Sequence, residues 1–195
     1  MSVITPFTLE DSTGIERSFP STRRALVCFI KEDCPTCRLV LPVLAAIHDS
    51  LGSELDFFII GQTRSGNSRL MSEFDPPFNL LDDGALKVSF TNDIEIVPQV
   101  FLTDSGGHVL VERSGFVREE WQELVAELFE QHAITQHTVE WDSLPSWRPG
   151  CGSLSVDPLH AERLQAEAEN SPIRARRIEM GSQDDEFEFM FDQGF

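Results

Sequence analysis

The sequence predicts an α/β fold built on a mixed sheet, and three observations carry that prediction. A buried strand runs straight into a Cys-x-x-Cys helix start, a second apolar run follows one helix later, and two further apolar runs flank a Gly-rich turn. Ala25-Leu26-Val27-Cys28-Phe29-Ile30 is a short continuous apolar run, the pattern of a strand covered on both faces. After the polar Lys31-Glu32-Asp33 comes Cys34-Pro35-Thr36-Cys37, then the helix-length apolar segment 39–47. Phe57-Phe58-Ile59-Ile60-Gly61 is the next apolar run. Strand, helix and strand make a βαβ unit, which favours a parallel pair joined by a right-handed crossover.

Residues 78–81 form a weaker strand that stops at Asp82-Asp83-Gly84, and 85–91 suit a short helix. Residues 98–102 and 108–112 flank Thr103-Asp104-Ser105-Gly106-Gly107, which reads as an antiparallel hairpin. Trp121, Leu124, Val125, Leu128, Phe129 and His132 recur at helical spacing, giving an amphipathic helix over about 118–133. These elements close an α/β domain over residues 1–138, followed by a mostly helical or irregular extension over 139–195. In the extension, Asp157-Pro158 opens a helix to about Asn170, with Asp at the cap and Pro at the first helical position. The segment 184–191 fits a helix face through Phe187, Met190 and Phe191 and a strand through Phe187, Phe189 and Phe191.

Length and charge narrow the function. At 195 residues the chain fits one ordinary domain plus an appendage. Its 33 acidic against 15 basic residues give a net charge of −18, and Lys31 and Lys87 are its two lysines. Such a chain lacks the basic footprint that phosphate backbones and anionic membranes require, so neither a nucleic-acid nor a membrane role is expected. The N-terminal stretch has no basic n-region followed by a long apolar run, and the expected location is cytoplasmic. Residues 1–138 carry 21 acidic and 10 basic side chains against 12 and 5 in residues 139–195, so the extension is the more negative part per residue.

Four cysteines are too few for a disulfide scaffold, and in a reducing compartment the Cys34/Cys37 spacing reads as redox chemistry or metal binding. At a helix start, unpaired backbone N–H groups and the dipole stabilise a thiolate at Cys34. Two intervening residues place Cys37 one turn along, where its sulfur can attack a mixed disulfide on Cys34. Glu32 and Asp33 oppose the thiolate while Lys31 and Arg38 support it, so sequence leaves the net shift open.

The strand 25–30, Cys34-Pro35-Thr36-Cys37, Pro42 five residues after the second cysteine, Val97-Pro98 ahead of the hairpin and the turn at 104–109 together resemble the thioredoxin superfamily. The likeness is to its thiol-disulfide reductase branch and covers residues 7–133. It implies a three-layer α/β/α fold, Cys34 as nucleophile and Cys37 as resolving thiol. It also implies a cis-proline at Pro98 facing the cysteines, Val97 offering backbone hydrogen bonds to a substrate strand, and Pro35 and Thr36 lining the same site. Asp33 stands where thioredoxins proper carry Trp, Cys28 where they bury an Asp, and Pro-Thr replaces their Gly-Pro. The implied partner is a disulfide-containing protein, with no cofactor.

Cys28 reads as a small buried hydrophobe. Cys151, within Gly150-Cys151-Gly152-Ser153, is placed in a flexible, exposed loop and is a candidate third redox thiol. Two alternatives stand beside the oxidoreductase. One is a non-catalytic thioredoxin-fold scaffold using the extension for association, with its acidic face preferring a basic docking surface. The other is metal handling by Cys34, Cys37 and Cys151, although one CxxC supplies only two of the roughly four ligands that zinc takes. Histidines 48, 108, 132, 137 and 160 show no metal-binding spacing, and oligomeric state is unreadable.

Overall fold

The computed structural model describes residues 2–132 and 139–170. In chain order its first unit contains β1 (Phe7–Glu10), β2 (Glu16–Phe19), β3 (Ala25–Ile30), α1 (Pro35–Leu51), β4 (Asp56–Gly61), α2 (Arg64–Phe74), β5 (Leu80–Asp82), α3 (Lys87–Thr91), β6 (Ile96–Val97), β7 (Gln99–Thr103), β8 (Val109–Ser114), β9 (Phe116–Val117), α4 (Arg118–Gln131), β10 (Trp147–Arg148) and β11 (Cys151–Gly152). A second unit begins at Pro158 and holds α5 (Pro158–Glu169), whose last turn is closed by Asn170 Nδ2 donating to the Ala166 carbonyl at 2.8 Å. The expected helix 158–170 is therefore present. The ambiguous segment 184–191 lies outside the described residues.

The central sheet has the order β5-β4-β3-β7-β8, with β5, β4 and β3 parallel and β7 and β8 antiparallel to their neighbours. This is the mixed sheet expected of a three-layer α/β/α fold. All six residues of β3 are buried, as its unbroken apolar run requires, because a central strand with both faces covered has no solvent side. The β7–β8 hairpin turns through Asp104, whose carboxylate accepts from the Gly106 and His108 N–H groups, and Gly107 takes φ +84 there.

Besides the two-residue strands, a hairpin and a helix were absent from the sequence reading. One is the β1–β2 hairpin, whose Phe7 and Phe19 rings stack at 5.1 Å and meet Phe58 edge-on. The other is α2, in which only Gly66, Asn67 and Leu70 are buried, a stripe too sparse to register as periodicity.

Residues 139–157 cluster with the first unit. Strand β10 pairs antiparallel with β9 and β11 with β6, so part of the predicted extension is built into the α/β unit through two short ladders.

Candidate active site around Cys34

Cys34 is the cap of α1. Its backbone is extended (φ −89, ψ 112) and its sulfur accepts from the Cys37 N–H at 3.4 Å, with Pro35 occupying the first helical position, where no N–H is needed. Cys37 falls one turn on, and its sulfur accepts from the Lys31 N–H at 3.3 Å. In its thiol form Cys34 donates to the Val97 carbonyl, 3.4 Å from its sulfur, and the Val97–Pro98 bond is cis. Cys34, Cys37 and Val97 are all buried. Strand, cap and the 96–98 edge thus bring the predicted pair and the predicted Val97-Pro98 step to one place.

The sequence left the Cys34 thiol's acidity open, and the tertiary structure sets it. The largest cause is the Cys37 thiol donating to the Cys34 sulfur; burial opposes ionisation, while the Cys151 thiol and the N–H groups of Cys37 and Thr36 add to the lowering, bringing Cys34 to about 5. Cys37 moves far the other way, first through burial and then through its hydrogen bond and proximity to Cys34. Burial alone pushes Cys28 up, leaving a buried thiol in the middle of β3. The flanking charges that appeared opposed in sequence are paired, two with residues of α2 and two with each other. Glu32 is gripped by both arms of the Arg69 guanidinium, Arg38 pairs with Glu73, and Lys31 Nζ lies 3.4 Å from Asp33.

No protein-family model matches the sequence, and no curated protein matches it either. Solved structures do. The thioredoxin domain of a thiol-disulfide oxidoreductase from Bacteroides vulgatus superposes with a TM-score of 0.57 at 19% identity, covering 65% of this chain and 94% of that one. StoA from Bacillus subtilis gives 0.54 at 17%, covering 63% and 99%. A secreted disulfide oxidoreductase of Mycobacterium tuberculosis, homologous to E. coli DsbE, gives 0.54 at 16%, covering 62% and 95%. The chain has the thioredoxin fold. Nearly all of each of these thioredoxin-fold chains is matched, and roughly a third of this one falls outside the match.

Against the site lies the segment 147–153. Cys151 pairs with Val97 and Gly152 with Ile96 across the β11–β6 ladder. Thr36 Oγ1 donates to the Pro149 carbonyl at 2.6 Å and Lys31 Nζ to the Gly152 carbonyl at 3.0 Å. A Cβ on Gly150 would stand 2.3 Å from Ile96 Cγ2 and 2.9 Å from the Val97 oxygen, so only glycine passes this point. The expected exposed loop at Cys151 is instead a short strand with the cysteine half-buried, because the β6 edge supplies a pairing partner. The Cys151 thiol is held up at about 11, first by burial and then by its hydrogen bond to Cys34.

Sequence reasoning missed the groups that hold this segment. Gln62 Nε2 donates to Ser153 Oγ at 2.6 Å and to Ser89 Oγ at 3.1 Å, and its Oε1 accepts from the Leu154 N–H at 3.0 Å. Ser89 in turn donates to the buried Asp83 carboxylate. The only signal for this in the sequence was the pair of glycines flanking Cys151, which mark a close backbone approach without saying to what. Among the described residues no group of three or more His, Cys, Asp or Glu side chains is arranged to hold a metal ion. No described helix is long and apolar enough to cross a membrane.

Proposed function

We propose that this chain is a thiol-disulfide oxidoreductase that reduces or exchanges disulfides in a partner protein, working in the cytoplasm with residues 1–138 as its catalytic domain. The observation that carries this reading is the asymmetric pair at the start of α1. Cys34 is poised as a thiolate near neutral pH, and Cys37 is kept protonated one turn away, its backbone N–H donating to the Cys34 sulfur. The Cys34 thiolate attacks one sulfur of a substrate disulfide, forming a mixed disulfide and releasing the first substrate thiolate. Loss of the Cys34 charge removes one cause of the raised Cys37 pKa. Cys37 then gives up its proton and attacks the Cys34 sulfur, the second substrate thiolate leaves, and a Cys34–Cys37 disulfide remains. Two electrons pass to the substrate, and an external dithiol must return them. Val97, Pro98, Pro35 and Thr36 bound the place where the substrate sulfur must arrive.

A Cys34→Ser variant is expected to lose all turnover on a protein disulfide, and a chain carrying both Cys37→Ser and Cys151→Ser, with no second thiol at the site, to accumulate mixed disulfides with the natural partner. Unchanged turnover in Cys34→Ser would remove the assignment.

A further inference from the structure

The edge at 96–97 is where a substrate chain must lie to bring a sulfur onto Cys34, and that edge is already paired with residues of this chain. The occupant is fastened on both sides of its cysteine. Upstream, β10 pairs with β9, and the Arg118 N–H donates to the Ser146 carbonyl at 2.9 Å. Downstream, the Ser153 N–H donates to the Glu95 carbonyl at 2.8 Å, Ser155 Oγ donates to the Ile94 carbonyl at 2.9 Å, and Gln62 ties Ser153 and Leu154 to the Ser89–Asp83 pair. Between these anchors Cys151 sits opposite Val97, the residue whose carbonyl faces the Cys34 sulfur. Cys151 and Cys34 thus flank the same residue, and each alters the other's ionisation.

We propose that residues 149–153 are a substrate strand carried in cis, and that Cys151 exchanges with the Cys34–Cys37 disulfide to form a Cys34–Cys151 disulfide. The inference rests on the oxidoreductase reading above and deepens it by naming the first substrate of the site. In the exchange Cys151 loses its proton and its sulfur attacks Cys34 Sγ. The Cys34–Cys37 bond breaks, and Cys37 leaves as a thiolate that takes up a proton. One disulfide is exchanged for another, so no oxidant or reductant is consumed. The reverse attack by Cys37 restores the starting pair. A protein substrate must displace this strand to reach Cys34, and the Cys34–Cys151 bond locks it in place.

The test uses the full chain with Cys37→Ser, oxidised by glutathione disulfide, alkylated without reduction and digested with trypsin. The expected product is peptide 32–38 cross-linked to peptide 119–163 within a monomer. Cys34 remaining as its glutathione adduct, with Cys151 fully alkylatable, would overturn the proposal. The wild type in the same buffers reports the Cys34–Cys37 couple. A normal wild-type couple with no cross-link in Cys37→Ser sinks this inference and spares the oxidoreductase reading, whereas no couple in the wild type sinks both. If circular dichroism shows Cys37→Ser unfolded, Cys37→Ala is read instead. Gly150→Val in the Cys37→Ser chain should abolish the cross-link, because its side chain would collide with Ile96 and the Val97 carbonyl. A cross-link undiminished by Gly150→Val would show that strand seating plays no part and would also overturn the proposal.

Discussion

Cys151 lies directly across an antiparallel pair from Val97, whose carbonyl oxygen is 3.4 Å from the Cys34 sulfur. One backbone edge therefore serves two sulfurs, and the properties of the reactive thiol depend on a segment distant from it in sequence.

The pH dependence of Cys34 follows from its partners. Its pKa is lowered from an ordinary value near 9 to about 5, so alkylation by iodoacetamide should rise through pH 5 and level off above about 6. Cys37→Ala removes the largest cause and should move the midpoint upward; Cys151→Ala should move it upward by less. Because the folded-state pKa is depressed, ionisation of Cys34 stabilises the reduced fold fully above pH 9 and loses that contribution as pH falls through 5. Alkylation rates measured from pH 4 to 9 in the three proteins check the order.

Gly115 sits at φ +69, and a Cβ there would come within 2.9 Å of the Gly150 backbone nitrogen. Gly115→Ala forces a non-glycine residue into the left-handed region, a cost of about 1–2 kcal/mol, and pushes on the strand carrying Cys151. The expected outcome is a lower melting temperature together with faster reduction of an external protein disulfide. Slower or unchanged reduction would count against the covering role of residues 149–153.

Gln62 is the buried joint between the sheet and the segment beyond Cys151. Gln62→Ala leaves the Leu154 N–H and the hydroxyls of Ser153 and Ser89 short of partners, a loss of about 1–3 kcal/mol. A drop in the urea midpoint, with amide exchange at Leu154 accelerated more than in β3, is the expected result.

Asp11 is held by a local turn. Burial by itself would raise its pKa, but hydrogen bonds from the Thr13 hydroxyl and the Ile15 and Thr13 N–H groups, with Arg17 nearby, lower it to about 2. The folded-state value lies below the ordinary 3.8, so its contribution is complete above pH 4 and is lost as pH falls through 2. Asp11→Ala should cost about 1–3 kcal/mol at pH 7, and the gap from wild type should narrow toward pH 2 in thermal melts.

The elements legible in the sequence are those whose signal is local. The unbroken run of β3, the cap and Pro35 opening α1, the Asp104-to-Gly107 turn and the Trp121-to-Phe129 stripe each express a periodicity or a turn chemistry within a few residues. The two-residue strands β6, β9, β10 and β11 were not legible, because two residues carry no period. The sparse face of α2 hid that helix and with it Arg69, the partner that neutralises Glu32 beside the cysteines.

The sequence by itself determined the dithiol, its position at a helix start behind a buried strand, and the hairpin that follows Pro98, since capping and periodicity act over one or two turns of chain. Only the tertiary structure decided how acidic Cys34 is and what lies against it. Those properties depend on contacts such as Cys34 to Val97, 63 residues on, and Lys31 to Gly152, 121 residues on. A thiol's charge responds to the donors and the burial that folding assembles around it, and no window along the chain contains them.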